Sequence, residues 1–101
     1  MPDLATRSRT AFVIGGSGGL GAAICRALAS DWGRVIVGYR SGEERARAVA
    51  QEIGLHAEIM QCDLADAAMV SAAIAAAGTP SAPLGAVIFS GGSLSPSPSS
   101  V

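Results

Sequence analysis

The sequence predicts an α/β fold, a doubly wound parallel sheet of four strands, and three observations carry that expectation. Apolar runs without a polar interruption recur at 12–14, 35–37 and 86–89, as suits strands buried on both faces. Between them lie stretches whose apolar residues return every three or four positions, Leu20, Ile24 and Leu28 being the first set. At the first strand-to-helix junction sits a glycine cluster, Gly15-Gly-Ser-Gly-Gly-Leu-Gly21. Strand, glycine turn and helix in that order are the context in which such a cluster binds a nucleotide rather than merely punctuating a loop.

Taken in order, residues 1–9 read as a loose arm and residues 10–14 as strand one. Helix one covers 18–32 and is closed by Gly33, glycine being the usual residue just beyond a helix end. Strand two is Arg34-Val-Ile-Val-Gly-Tyr39. Helix two opens at Ser41-Gly-Glu-Glu44, a capping-box pattern in which the Ser41 hydroxyl accepts from the Glu44 amide. Its inner face is Ala46, Val49, Ala50 and Ile53, and Gly54 stops it. Strand three covers 57–62. Helix three starts from Asp66 as N-cap and runs through Val70, Ala73, Ile74 and Ala77 to Gly78. A loop holding Pro80 and Pro83 then leads to strand four at 85–90. Residues 93–101, where Pro96 and Pro98 stand among serines, have no periodic apolar face and read as a disordered tail.

Strands alternating with helices, each crossover right-handed, give the strand order 3-2-1-4. A ligand crevice then falls at the carboxyl ends of the strands, where the order reverses between strands one and four. The glycines at 15, 19 and 21 permit a tight turn and close approach of a ligand to the backbone. The free amides at the start of helix one attract an anionic phosphate.

Composition narrows the function. The chain has 101 residues, half of them hydrophobic and 15% charged, a foldable composition of one domain's size. A formal net charge of −1 gives no electrostatic case for a nucleic-acid partner. No apolar run approaches the roughly 18 residues of a membrane span. The N-terminus has no apolar stretch of the secretory kind, so the expected location is cytoplasmic. Cys25 and Cys62 lack metal or redox spacing and read as buried small hydrophobes. His56 reads as a solvated loop residue.

Four places resemble the short-chain dehydrogenase/reductase family, over about residues 10–92, and the likeness implies a Rossmann-type NAD(P)-binding half-domain. The glycine cluster has the family's spacing, with Ile14 in place of the threonine usual before its first glycine. Tyr39-Arg40-Ser41 follows strand two, and Asp63-Leu64 follows strand three. Phe89-Ser90-Gly91-Gly92 stands where the family usually has Asn-Asn-Ala-Gly. The likeness implies that Gly15, Ser17, Gly18, Gly19, Leu20 and Gly21 line the pyrophosphate turn. Tyr39, Arg40 and Ser41 would lie at the adenosine ribose, Asp63 and Leu64 at the adenine, and Ser90, Gly91 and Gly92 toward the nicotinamide side. An acidic residue at the end of strand two favours NAD; Arg40 instead offers a guanidinium that pairs with a 2′-phosphate, so NADP is the expected cofactor.

The implied activity is carbonyl reduction or alcohol oxidation on a small molecule, the Tyr-Arg-Ser-x-Glu-Glu run resembling 3-oxoacyl-carrier-protein reductases. Family members are usually homo-oligomers and act through a serine, a tyrosine and a lysine three or four residues further on. These 101 residues contain no lysine, and Tyr39 is their one tyrosine, so no catalytic residue is assigned. Packing points the same way: one sheet face would receive two helices and the other only one, with strand four a bare edge. The expectation is therefore a cofactor-binding half separated from a longer enzyme and inactive alone. The alternatives are a non-catalytic nucleotide-binding module and an inactive truncated remnant.

Overall fold

A computed structural model describes residues 8–15 and 18–90. The elements are β1 (Thr10–Ile14), α1 (Gly19–Ala29), β2 (Arg34–Tyr39), α2 (Glu43–Ile53), β3 (Ala57–Gln61), α3 (Ala67–Ala77) and β4 (Leu84–Phe89). Residues 1–7 of the expected arm at 1–9, the tail at 93–101, and Ser17, Gly91 and Gly92 lie outside the described residues.

The strands pair in the order β3-β2-β1-β4, and every pairing is parallel. That is the predicted Rossmann-type order. β1 is central and buried along its whole length, which accounts for its unbroken apolar run. Alternate residues of the strands feed two cores. Val13, Val35 and Val37 face α1 and α2, meeting Ala22, Cys25, Ala46, Val49 and Ala50. Phe12, Ile14 and Ile36 face α3, meeting Cys62, Ala73 and Ala77. Each large side chain so buried contributes about 1.5–3 kcal/mol. The many alanines on the helices allow close approach to the sheet.

At the amino end of the strands Arg34 ties the layers together. Its guanidinium forms a bidentate pair with Glu58 of β3, at 2.9 and 2.7 Å, and also donates to the Ala77 carbonyl at the end of α3. Both cysteines are free and buried, as expected of small core residues, and burial pushes the Cys25 thiol up to about 11.

Three local expectations need correction. α1 ends at Ala29 rather than 32: the amides of Asp31 and Trp32 both return to the Leu28 carbonyl, so a turn separates the helix from Gly33. α2 starts one residue later than the capping box requires. Gly42 is its N-cap, without a side-chain cap, and the Ala46 amide bonds the Gly42 carbonyl; Ser41 thus stands outside the helix and does not cap it. His56 is partly buried rather than solvated, with Nε2 at 2.9 Å from the Ala29 carbonyl. Since a carbonyl only accepts, Nε2 carries the proton of that bond and satisfies an otherwise open carbonyl at the end of α1.

Candidate functional site

The four carboxyl ends of the strands are held in place by continuations of the ladder beyond the strands themselves. The Gly15 amide bonds the Gly38 carbonyl at 3.1 Å, the Cys62 amide bonds Tyr39 at 2.7 Å, and the Ser90 amide bonds Ile14 at 2.8 Å. The loops leaving β1, β2, β3 and β4 therefore start from fixed points on one edge. Described residues at and beyond these strand ends line a cleft of about 1230 Å³, among them Gly15, Gly19, Arg40, Asp63 and Ser90. Its inner end lies at the β1/β4 junction, the topological switch point.

Gly15 is in the left-handed region at φ 89°, and a Cβ there would sit 2.0 Å from the Ser90 carbonyl oxygen. No side chain fits, so the chain can turn from β1 toward α1 while touching β4. Gly18 is the N-cap of α1 and carries no side-chain cap. The first bond of the helix runs from the Ala22 amide to the Gly18 carbonyl at 2.7 Å. The amides of Gly19, Leu20 and Gly21 find no acceptor among the described residues, and open donors at a helix start favour an anion. A Cβ at Gly19 would meet nothing within 4 Å, which leaves that approach clear.

Arg40 and Ser41 lie exposed at the outer part of the cleft beyond β2. Asp63 and Leu64 line it beyond β3. Asp63 accepts from the Ala65 amide through Oδ1 at 2.9 Å, and its own amide donates to the Met69 sulfur at 3.1 Å, so the turn is fixed from both sides. Leu20 and Leu64 are 69% and 45% exposed, and both line the cleft; apolar side chains left open there suit a flat apolar ligand surface. Cys62, also in the lining, is buried; desolvation first, then the charges of Asp63 and Asp66, raise its pKa. Both effects favour the thiol over the thiolate there.

The structure thus brings Gly15, Gly18, Gly19, Leu20, Gly21, Arg40, Ser41, Asp63, Leu64 and Ser90 to one cleft. It does not bring Tyr39 there. Tyr39 belongs to the strand, where side chains alternate between faces, and its ring packs against the core beneath α1 and α2. Sequence reasoning missed Arg45, which also lines the cleft. With the helix start set at Ser41 its place in the first turn was obscured; Gly42 as N-cap makes it the third helical residue.

Comparison with known proteins agrees with this geometry. A family model described as short chain dehydrogenase matches residues 9–100. An acetoacetyl-CoA reductase of Rhizobium meliloti (strain 1021) is 50% identical over 48 residues, which are 48% of this chain and 20% of that protein. A dehydrogenase/reductase crystal structure from Sinorhizobium meliloti 1021 superposes with TM-score 0.75 at 36% identity, over 88% of this chain and 38% of that one. A short chain dehydrogenase from Burkholderia cenocepacia J2315, in complex with NADP, gives TM-score 0.64 at 39% identity over 70% and 30%. The chain therefore spans well under half the length of each of these relatives. With the family model covering nearly all of its residues and the fold and strand-end cleft agreeing, the chain belongs to the short-chain dehydrogenase family of oxidoreductases.

Proposed function

We propose that this chain is the NADP-binding part of a short-chain oxidoreductase acting on a carbonyl/alcohol pair. One observation carries the reading: a single cleft has unclaimed helix amides at its inner end and the exposed Arg40 guanidinium beyond β2. A dinucleotide carrying a pyrophosphate and a separate 2′-phosphate asks for an anion site at each of two places.

The residues present fit that group. The turn at Gly15 and the amides of Gly19, Leu20 and Gly21 would hold the pyrophosphate. Arg40 and Ser41 would hold the 2′-phosphate, Asp63 and Leu64 the adenine, and Ser90 would face the inner ribose. The Burkholderia relative bound to NADP supports the choice of cofactor. Bound there, the cofactor would supply the hydride. The residues of this chain bind and orient it; none of them is assigned to proton transfer, since the chain has no lysine and its tyrosine packs against the core, away from the cleft lining. That same observation favours a second reading, a nucleotide-binding module without chemistry of its own.

Titration of the 101-residue chain with NADPH and with NADH tests the reading. NADPH should bind more tightly, and Arg40→Asp should weaken NADPH by roughly tenfold or more while changing NADH little. Equal losses for both would remove the assignment to NADP. Turnover of a ketone by the chain alone would instead remove the view that proton transfer depends on residues outside it.

A further inference from the structure

Among the arginines whose pairing the structure describes, three are spoken for by glutamates. Arg26 pairs with Glu52, Arg34 with Glu58, and Arg47 with Glu43. Arg40 and Arg45 pair with no carboxylate among the described residues, although Glu43 and Glu44 are their close neighbours in the chain and line the same cleft. Charges left unpaired beside available partners are the unusual feature here, and both of them face the cleft.

The local charge balance shows what the second one does. Glu44 is also without a described cationic partner, and with Asp63 it lines the same cleft, so these carboxylates offset part of the attraction that Arg40 alone offers a phosphate dianion. Arg45 tips that balance. Arg47, one turn further along α2, holds the Glu43 carboxylate, which would otherwise be free to neutralise either cleft arginine. Helical spacing makes this possible: residues 43 and 47 lie on one face, whereas 45 lies on another.

We infer that Arg45 is a second specificity-determining residue for the 2′-phosphate, acting with Arg40, and that Arg47 is a positioning residue that offsets the charge of the Glu43 carboxylate beside that site. The inference rests on the reading of the cleft as an NADP site, and it assigns a role to two residues outside the strand-two motif on which that reading depends.

The test measures NADPH and NADH dissociation constants for the full chain and for Arg45→Gln and Arg45→Lys at two salt concentrations. Arg45 is exposed, so both variants should keep the parent far-ultraviolet circular dichroism. Arg45→Gln should weaken NADPH by roughly fivefold and NADH by less than about twofold. It should also flatten the salt dependence of NADPH binding, because one screened charge is gone. Arg45→Lys should recover most of the loss. Arg47→Gln should weaken NADPH in the same direction by leaving the Glu43 charge without that offset. If Arg45→Gln leaves the NADPH-to-NADH ratio unchanged while Arg40→Asp still collapses it, Arg45 has no such role and the reading of the cleft survives. If the parent chain binds neither nucleotide, both fall together.

Discussion

Two glycines in one turn have opposite physical reasons for being glycine. Gly15 is required by the fold: it combines a positive φ with a Cβ position 2.0 Å from the Ser90 carbonyl. Gly15→Ala must therefore push β4 away from β1 or unwind the turn, at a cost of about 2–4 kcal/mol. Gly19 is not required by the fold, since it is helical and its Cβ would meet open space. Gly19→Ala should raise stability by about 0.5–1 kcal/mol through helix propensity while placing a methyl group where a phosphate would approach, so nucleotide binding weakens. Urea denaturation and an NADPH titration on both variants separate the two cases. A stabilised Gly19→Ala chain that binds as well as the parent would show that no ligand approaches that face. The G-x-x-x-G-x-G spacing made both glycines legible in the sequence but could not tell them apart. The difference lies in how near β4 comes, a contact between residues 75 positions apart in the chain.

At the scale of elements, strand and helix identity was legible because three-and-four spacing in the helices alternated with unbroken apolar runs in strands one, two and four; only strand three, Ala-Glu-Ile-Met-Gln61, is interrupted by polar residues. Ends were less so. Ser41 and Glu44 have the spacing of a capping box, but Gly42 took the cap position, which frees the Ser41 side chain to line the cleft. His56 was misjudged because its partner, the Ala29 carbonyl, belongs to a different helix. The pairing of Arg34 with Glu58 was likewise invisible until β2 and β3 were in register, Val35 beside Ala57 and Ile36 beside Glu58. That pairing gives the sheet an acid-sensitive joint. The hydrogen bond from Arg34 lowers the Glu58 pKa, more than its burial raises it. A carboxyl held below its unfolded value contributes stability that is present above the unfolded pKa and lost as pH falls through the folded one. Stability should thus decline below about pH 4.3, and Arg34→Met should lower stability at neutral pH while making that acid decline shallower. Denaturant midpoints for both proteins between pH 3 and 7 check it; parallel curves would mean that the ion pair is solvated and contributes nothing.

For the whole molecule, the sheet is covered unequally, as the strand and helix count implied. Among the described residues, one face is closed by α1 and α2 and the other by α3 alone. β4 is an outer strand of the described sheet. The consequence is clearest at its carboxyl end. Phe89 stands beside Ile14 in the register and so shares its face, yet Ile14 is 1% exposed and Phe89 is 58% exposed. α3 reaches over β1 but does not shield the end of β4. A large aromatic at the end of an outer strand whose far side has no ladder partner among the described residues invites pairing with another strand. The 101-residue chain in isolation should therefore bind an apolar dye and associate as its concentration rises. Phe89→Lys should reduce both, because a charged side chain on an outer strand opposes addition of a further strand. Sedimentation velocity over a tenfold concentration range, with dye fluorescence on the same samples, gives the answer. A parent chain that stays monomeric and dark would mean that β4 is shielded in solution. Its apolar end would then have to be explained by packing within the chain rather than by a surface prepared for a further strand.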